Sequence, residues 1–401
     1  MRILFITTQF PYPLDNGGKI GAFNGLNVLS DYEVHLLSFS EQDEYIENGQ
    51  RFLSEKFPSL MIEKVIHQDI HIKNNLFKLA HAILKSYLGS APYMITKFEN
   101  KEMYKAIDEV LMDKYFDFIF IDYLNMNNYG EYIRNKHRDK FGKYILKDHN
   151  IEYEIFKQTS DKYPWYKRIL TDPIWKKTKE YEERSVRNAD IVFSVCDENT
   201  EYFKAFNNNS YSMKPTLDMK LVKTRVKHNH KMLYIGNLSW GANLDGLKWF
   251  VSGVMPLIKS KYSDAELAIV GSGNAENPFS DLPEIKWIGF VEDITKIYDE
   301  YEVFIVPLFE GSGIRIKILD AFNYEIPVVS TSLACNSIGC IDGDHIMIAD
   351  TEEEFAGKVI TLLEDDALRK SLISKAKSLL ETEYTLEVRK SEVRRILLNK
   401  Q

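Results

Sequence analysis

Short apolar runs alternate with longer amphipathic segments along the first half of the chain. Continuous apolar runs separated by helix-length segments predict parallel strands that helices cover on both faces. The predicted strands of this half are Arg2–Thr7, Val34–Phe39, Phe118–Ile121, Lys143–Leu146 and Ile191–Val195. Helical periodicity lies between them at Ile20–Leu29, Leu76–Leu88 and Met103–Met112. The pattern predicts a doubly wound α/β domain.

The same alternation starts afresh after two polar stretches, Asn207–Ser210 and Lys220–Lys231. A helix is predicted at Leu244–Lys259, and the strands of this half at Lys231–Ile235, Glu266–Val270, Lys286–Ile288, Val303–Val306 and Pro327–Thr331. We therefore predict two Rossmann-like domains, residues 1–215 and 216–385, facing each other across a cleft. The charged helix Leu386–Leu398, within residues 386–401, is expected to pack back on the first domain. Ligands of such sheets bind beyond the carboxyl ends of the strands.

Composition narrows the class of protein. A length of 401 residues fits two domains. The net charge of −8, from 51 Lys and Arg against 59 Asp and Glu, disfavours a nucleic-acid partner. Three cysteines do not make a disulfide framework, and no apolar run approaches the ~18 residues of a membrane span. The apolar run Met1–Ile6 ends at Thr7 without a cleavage site, so we interpret it as the first buried strand and not as a signal peptide. We therefore expect a cytoplasmic protein.

The loop after the first strand holds Asp15, Gly17, Gly18 and Lys19 just before a predicted helix. Glycines let a ligand approach the backbone, and a helix N-terminus favours anions, so we predict a phosphate-binding loop. The alternatives are a tight turn that needs positive φ and an ordinary turn aspartate. The glycine spacing does not fit a dinucleotide fingerprint.

The most informative segment runs from Val306 to Phe322, where a strand leads through a glycine-rich loop into a helix. Arg315 and Lys317 stand in the first turn of that helix, where the helix dipole disfavours cations. A diphosphate bound there would draw on both cations and on the free amides. Asp320, one turn further, can accept both hydroxyls of a ribose. The alternative is a surface helix with a Lys317–Asp320 pair.

This segment resembles the donor-binding signature of retaining GT-B glycosyltransferases of the family-four, or group 1, type. The stretch from Asp320 to Thr331 is similar to the family's Glu-Ala-Met-Ala-x-Gly-x-Pro-Val-Val pattern, and the resemblance covers nearly the whole chain. It implies a GT-B fold. It also implies a donor site made by the segments Gly236–Asn237 and Gly311–Arg315, by Lys317 and by Asp320. The members of the second segment are Gly311, Ser312, Gly313, Ile314 and Arg315.

The chain departs from the family pattern in two places. The family's paired glutamates correspond to Ser312 and Asp320, and Glu310 lies two residues from the first position. The family's Arg and Lys in the first turn of the second domain are also missing, because Asn237 and Ala242–Asn243 stand there. By resemblance to a subgroup with a Gly-rich-Arg-x-Lys loop, Arg315 and Lys317 supply the diphosphate charge.

Asp122 and His149 follow two predicted strands of the first domain. By resemblance, Asp122 occupies a position that often faces the sugar, and both residues are candidates for orienting sugar or acceptor. Polar side chains at adjacent strand ends are typical of an active site. The alternative is strand-end capping, in which Asp148 or Asn150 caps the following helix.

The resemblance implies transfer of a sugar from a nucleotide-diphosphate sugar to an acceptor hydroxyl, with retention of configuration and without metal or cofactor. The acceptor would be a glycan or a lipid-linked glycan of a bacterial surface polysaccharide. By the same resemblance, the loop after the first strand is also a candidate acceptor-binding loop, in which Asp15 would orient the acceptor hydroxyl. One alternative is a nucleotide-sugar epimerase of the same architecture, which would need a second acidic group beside Asp122. Another is a non-catalytic sugar-nucleotide sensor, which the departures at Ser312 and Asn237 keep open.

Two further features concern membranes and metals. Aromatic and cationic residues mix in Tyr163–Lys179, and Leu76–Tyr87 carries an apolar stripe with the periodicity of a helix. We expect peripheral contact with the anionic inner membrane face, or else an ordinary core-packed helix beside a solvated basic one. Cys335, Cys340 and His345 do not have the spacing of a metal site, so we predict no metal.

Overall fold

The computed structural model describes residues 1–69, 86, 89, 91–220, 229–271, 273, 277–291, 293–311 and 313–398. The chain divides into two compact units. One comprises Met1–Thr216 with Arg389–Gln401, and the other comprises Leu217–Val388.

The first unit is built on a seven-stranded parallel sheet in the order β3-β2-β1-β4-β5-β6-β7. Its strands are β1 Arg2–Thr7, β2 Glu33–Ser40, β3 Leu60–His67, β4 Phe116–Asp122, β5 Phe141–Asp148, β6 Ile191–Ser194 and β7 Ser210–Ser212. Its α-helices are α1 Gly17–Val28, α2 Ile46–Lys56, α3 Tyr93–Thr96, α4 Lys101–Asp113, α5 Asn127–Lys136, α6 Glu152–Asp161, α7 Trp165–Asn188 and α8 Asp197–Lys204. Short 3₁₀ turns occur at Asp43–Tyr45, Leu124–Met126 and Arg138–Lys140.

The second unit has a six-stranded parallel sheet in the order β10-β9-β8-β11-β12-β13. Its strands are β8 Lys231–Ile235, β9 Glu266–Val270, β10 Ile285–Gly289, β11 Val303–Val306, β12 Val328–Ser330 and β13 Met347–Ile348. Its helices are α9 Gly241–Trp249, α10 Met255–Lys261, α11 Thr295–Tyr298, α12 Ile316–Asn323, α13 Ser332–Cys335, α14 Glu352–Glu364 and α15 Asp366–Glu383, with a π turn at Phe250–Val254 and a 3₁₀ turn at Asn336–Ile338.

The last helix, α16, spans Leu386–Leu398. From Arg389 onward it belongs to the first unit, where Lys390 Nζ pairs with Asp31 Oδ1 at 2.7 Å. Along the part of the chain that the structure describes, no helix combines the length and the hydrophobicity that crossing a membrane requires.

The prediction of two doubly wound Rossmann-like domains is confirmed. Most hydrophobic side chains of the inner strands of both sheets are buried, as the apolar strands and covering helices require. The pattern missed β3, β7 and β13. The strand β3 lies at a sheet edge and is only partly buried, so its sequence alternates with charges, and β7 and β13 have three and two residues.

Two predicted helices differ from the observed ones. The helix α1 begins at Gly17 rather than Ile20, because the Asn16 side chain caps the earlier turn. The predicted helix Leu244–Lys259 is divided by the π turn before Pro256, whose nitrogen cannot donate to the helical ladder. The predicted helix Leu76–Leu88, except Ser86, lies outside the described residues.

Candidate functional site

The predicted donor residues lie at the switch point of the second sheet. The strands β8 and β11 are neighbours there, and the chain continues outward from them in opposite directions through β9 and β12. All strand pairs of this sheet are parallel, so the loops that follow β8 and β11 leave at the same edge. A crevice between diverging loops at this place is where ligands bind in open α/β sheets.

Lys317, in the first turn of α12, directs its ammonium group toward neutral partners. Its Nζ donates to the Tyr234 hydroxyl at 3.0 Å and to Asn243 Oδ1 at 3.1 Å. Burial, and then the neighbouring Arg315, lower the pKa of Lys317 to about 7. Within the described ranges, no carboxylate oxygen lies within ion-pair distance of this ammonium group. The site therefore holds a desolvated cation that an anion would stabilise.

Gly236 makes room for this cation at the end of β8. A Cβ atom at this position would lie 2.6 Å from Lys317 Nζ and 2.8 Å from the Tyr234 hydroxyl. The adjoining Asn237 accepts a hydrogen bond from Asn243 Nδ2 at its carbonyl, at 2.6 Å. Asn243 thus ties the turn after β8 to the lysine of α12.

Arg315 lies at the N-cap position of α12 and is nine-tenths buried. Its guanidinium group donates to the Gly313 carbonyl at 2.9 Å and to the Glu310 carbonyl at 3.4 Å, and lies over the Trp240 ring at 5.8 Å. Gly311 has φ of 106°, and a Cβ there would lie 2.7 Å from the Trp240 ring. The loop therefore wraps closely around the guanidinium group, and burial lowers the pKa of Arg315.

The remaining predicted donor residues have different surroundings. Ile314 packs against the hydrophobic core, and Ser312 lies outside the described residues. Burial raises the pKa of Asp320 to about 6, although the charge of Lys220 opposes this. The alternative of a Lys317–Asp320 surface pair is wrong, because the ammonium group donates to the two neutral partners already described.

The first sheet also has its polar cluster at its switch point, between β1 and β4. Asp122, the last residue of β4, is fully buried. Its Oδ2 accepts from the Thr7 hydroxyl at 2.8 Å, and its Oδ1 lies 2.8 Å from His149 Nε2 and 3.2 Å from Lys147 Nζ. Burial alone would raise the pKa of Asp122, but Lys147 and His149 lower it far below its usual value.

His149 completes this cluster together with Tyr123. The two rings stack with centroids 3.7 Å apart at an angle of 7°. Burial, and then the charge of Lys147, lower the pKa of His149 to about 4 in spite of the adjacent Asp122. The imidazole is therefore neutral at pH 7, and the Nε2–H that faces Asp122 leaves Nδ1 unprotonated.

The loop before α1 is a separate feature of this unit. Asp15 pairs with Lys19 at 3.0 Å, and Asn16 Oδ1 accepts from the Lys19 amide at 3.0 Å. Gly17 and Gly18 are the first helical residues and have no positive φ, so the alternative of a left-handed turn is wrong. Asp15 and Lys19 line a polar cavity of about 130 Å³ at the ends of β1 and β2. The structure brings Asp15 to Lys19 rather than to the Asp122–His149 pair.

The capping alternative at the end of β5 is also wrong. The helix α6 begins at Glu152, and the carboxylate that accepts from its first amides belongs to Glu182 of α7. Glu182 accepts from Glu152 N at 2.7 Å and from Tyr153 N at 3.3 Å. Asp148 is buried, and burial followed by the charges of Glu182 and Glu152 raises its pKa well above its usual value.

The expected membrane-facing surface falls only partly within the described residues, at the start of α7. Trp165, Ile169 and Leu170, in the first turns of α7, have 76%, 63% and 66% of their surface exposed. Trp175 instead packs against the core, and Lys177 donates to backbone carbonyls. The apolar stripe Leu76–Tyr87 lies outside the described residues, apart from Ser86.

Sequence reasoning missed the groups that hold the candidate residues in place. These are Lys147 and Thr7 around Asp122, and Tyr234 and Asn243 around Lys317. One available signal was Lys147, which stands at the carboxyl end of an apolar strand. A lysine is rarely buried unless it is paired, so its position indicated a nearby acidic partner. Across the described part of the chain, no three His, Cys, Asp or Glu side chains are grouped to hold a metal ion.

Comparison with known proteins shows the fold and a local family match. Residues 229–365 match the family model of glycosyl transferases group 1. The crystal structure of HepE from Anabaena in complex with UDP and glucose is similar to this chain, with a TM-score of 0.67, 12% identity and 100% of both chains covered. The fold is therefore the GT-B fold, and the second unit contains the segment that is similar to glycosyl transferases group 1.

Two relatives extend the comparison. An uncharacterized 44.6 kDa protein of the cps region of Klebsiella pneumoniae is 24% identical over 411 residues, which cover 96% of each chain. The O-antigen biosynthesis glycosyltransferase WbnH of Escherichia coli is 24% identical over 211 residues, which cover 50% of this chain and 53% of WbnH.

Proposed function

We propose that the protein transfers a sugar from a nucleotide-diphosphate sugar to an acceptor hydroxyl with retention of anomeric configuration. The observation that carries the proposal is the arrangement of Lys317 and Arg315 at the start of α12, where a buried ammonium group has neutral partners and a second cation beside it. Two such cations with glycine-lined backbone match the charge and shape of a diphosphate.

In this reaction the bond between the anomeric carbon and the diphosphate oxygen breaks, and the bonding electrons leave with the diphosphate. Arg315, Lys317 and the amides at the start of α12 stabilise the charge that develops there. The acceptor oxygen forms the new bond on the same face of the sugar, and its proton passes to the departing phosphate oxygen. No metal and no strong protein base take part.

Other candidate residues have supporting roles. Asp320 holds the ribose hydroxyls, and its pKa of about 6 leaves it mostly ionised at pH 7. Asp122 and His149 orient a sugar or acceptor hydroxyl together, because Asp122 holds the imidazole through Nε2 and the unprotonated ring nitrogen is a hydrogen-bond acceptor. Asp15 and Lys19 contribute to acceptor binding through the polar cavity that they line beside α1, and Gly17 and Gly18 form the adjoining first turn of the helix.

The names of the relatives support assigning this reaction to the biosynthesis of a surface polysaccharide. One belongs to a cps region and another to O-antigen biosynthesis. We propose that the acceptor is a glycan or lipid-linked glycan in the biosynthesis of a bacterial surface polysaccharide, on the cytoplasmic side of the membrane. The exposed apolar residues at the start of α7 support peripheral contact with anionic lipid, since Trp and Tyr favour the headgroup region and cations flank them.

Replacement of Arg315 by alanine tests the proposed function. We expect R315A to lower the turnover of the donor at least ~10²-fold, as the loss of one preorganised donor to a developing anion does. The control is K370A, which removes an exposed lysine of α15. Wild-type turnover in a folded R315A protein would contradict the diphosphate role.

Analysis of the products of the wild-type protein separates sugar transfer from the epimerase and sensor alternatives. Proton NMR of the wild-type product is expected to show the anomeric configuration of the donor. An epimerised donor formed without acceptor would favour the epimerase instead, and donor binding without any transfer would favour a non-catalytic sensor.

A further inference from the structure

A buried lysine at the end of β5 contacts the candidate acceptor site of the first unit. The Lys147 side chain is only 4% exposed, and its Nζ lies 3.2 Å from Asp122 Oδ1. The same oxygen lies 2.8 Å from His149 Nε2, while the Thr7 hydroxyl donates to the other carboxylate oxygen at 2.8 Å. One carboxylate therefore accepts two hydrogen bonds and lies at ion-pair distance from a buried ammonium group.

The helix α1 packs closely on these side chains through two glycines. A Cβ at Gly25 would lie 3.7 Å from Lys147 Nζ, and a Cβ at Gly21 would lie 2.7 Å from the Tyr123 hydroxyl, 3.0 Å from His149 Cε1 and 3.5 Å from His149 Nδ1. These two glycines are four residues apart and share one helix face. Any larger residue at position 21 would collide with the imidazole edge that points away from Asp122.

We propose that Lys147 is a positioning residue that keeps Asp122 a carboxylate and His149 a neutral imidazole whose Nδ1 accepts a hydrogen bond from a sugar hydroxyl. The proposal deepens the proposed function and rests on it for the identity of the hydroxyl. Because the ammonium group already balances the charge of Asp122, the imidazole does not need to carry a proton for that purpose. A buried pair of Asp122 and His149 without the lysine would instead favour the protonated imidazole.

The charges around the imidazole agree with this arrangement. The charged groups that face His149 are Asp122 of β4 and Lys147 of β5, while α1 contributes Gly21 and the Tyr123 ring stacks on one side. Burial and then Lys147 lower the pKa of His149, and Asp122 raises it. Burial and the lysine thus act together against Asp122, whose effect favours the charged ring.

The test is the titration of His149 in the full chain without substrates, followed through its imidazole ¹⁵N resonances and assigned with H149Q. In the wild type we expect no titration between pH 5.5 and 9, with Nε2 protonated and Nδ1 bare. In K147M we expect the pKa to rise by at least about two units, because the positive neighbour is gone and Asp122 remains. The matched variant K147R, which keeps the charge, is expected to leave the ring neutral.

Kinetics give a second readout. The turnover of K147M is expected to fall as the pH drops below the new pKa of His149 and to recover above it, while KM for the donor stays unchanged. A wild-type His149 that titrates near 6.5, or an unaltered titration in K147M, would overturn the proposal. If K147M does not fold, a wild-type His149 that titrates near 6.5 still overturns the proposal, and an unaltered titration in K147A serves as the second test of the lysine; neither result depends on whether sugar transfer occurs.

Discussion

At the scale of single residues, Lys317 combines burial with a positive charge. In the free protein it donates to a tyrosine hydroxyl and an asparagine oxygen, so its charge is stabilised less than in water. A bound diphosphate would favour the charged form and raise the pKa of Lys317 above its free value of about 7. Binding of the diphosphate is therefore coupled to binding of a proton above pH 7.

The sign of this coupling gives a pH prediction. Below pH 7 the ammonium group is already charged, and above pH 7 each unit of pH costs up to ~10-fold in affinity, because a proton must be taken up. Isothermal titration with a nucleoside diphosphate is expected to show a Kd at pH 9 on the order of tenfold or more above that at pH 7. The variant K317R, whose guanidinium stays charged, is expected to lose this dependence. Equal wild-type Kd values at the two pH values would contradict the role of Lys317.

Candidate functional residues could be predicted from the sequence only where their neighbours along the chain pointed to a function. Arg315 and Lys317 stand out as cations in the first turn of a helix after a glycine-rich loop. Their surroundings could not be predicted, because Tyr234 and Asn243 are 83 and 74 residues away from Lys317 along the chain. The role of Lys147 was missed for the same reason, since Asp122 belongs to the neighbouring strand.

At the scale of elements, the start and the middle of α7 differ in how much of their apolar surface is exposed. Near its middle, Trp175 packs against the core and its Nε1 donates to Asp172 at 3.1 Å. At its start, Trp165, Ile169 and Leu170 have most of their surface exposed. An exposed cluster of large apolar side chains is a feature of surfaces that contact membranes or partners.

Flotation with vesicles tests the membrane contact of this helix. The wild-type protein is expected to float with vesicles that contain anionic phosphatidylglycerol and less with neutral ones. The triple variant W165S/I169S/L170S is expected to lose most of this binding, because it removes the apolar anchor. The control is F290S, a single residue of the second unit that is 75% exposed. Equal flotation of the triple variant and the wild type would contradict the assignment.

The strands in the interior of each sheet were predictable, whereas of the edge strands only β10 was predicted and β3, β7 and β13 were not. The strands β1, β8, β9 and β11 begin and end where the apolar runs do. The edge strand β3 was missed because Glu63 and Lys64 interrupt its apolar residues. Half-exposed strands need no continuous apolar run, so the pattern is weak there.

At the scale of the whole molecule, each unit gathers its polar candidates at its own switch point. Asp122 meets Thr7 between β4 and β1, and the loops after β8 and β11 bring Gly236 to Lys317. The alternation of strands and helices predicted two such sheets, and parallel strands predicted that loops would converge at one edge. The order of strands within each sheet is a tertiary feature that the hydrophobic pattern does not contain.

The proposed function depends on the diphosphate of the donor, which we propose binds at the start of α12, and this binding site can be tested by itself. It is tested most directly by a crystal structure of the protein with the nucleoside diphosphate that stabilises it most among the uridine, guanosine and adenosine forms. We predict phosphate oxygens within hydrogen-bond distance of the Arg315 guanidinium and of Lys317 Nζ. A diphosphate bound elsewhere, with Lys317 still held only by Tyr234 and Asn243, would contradict the account.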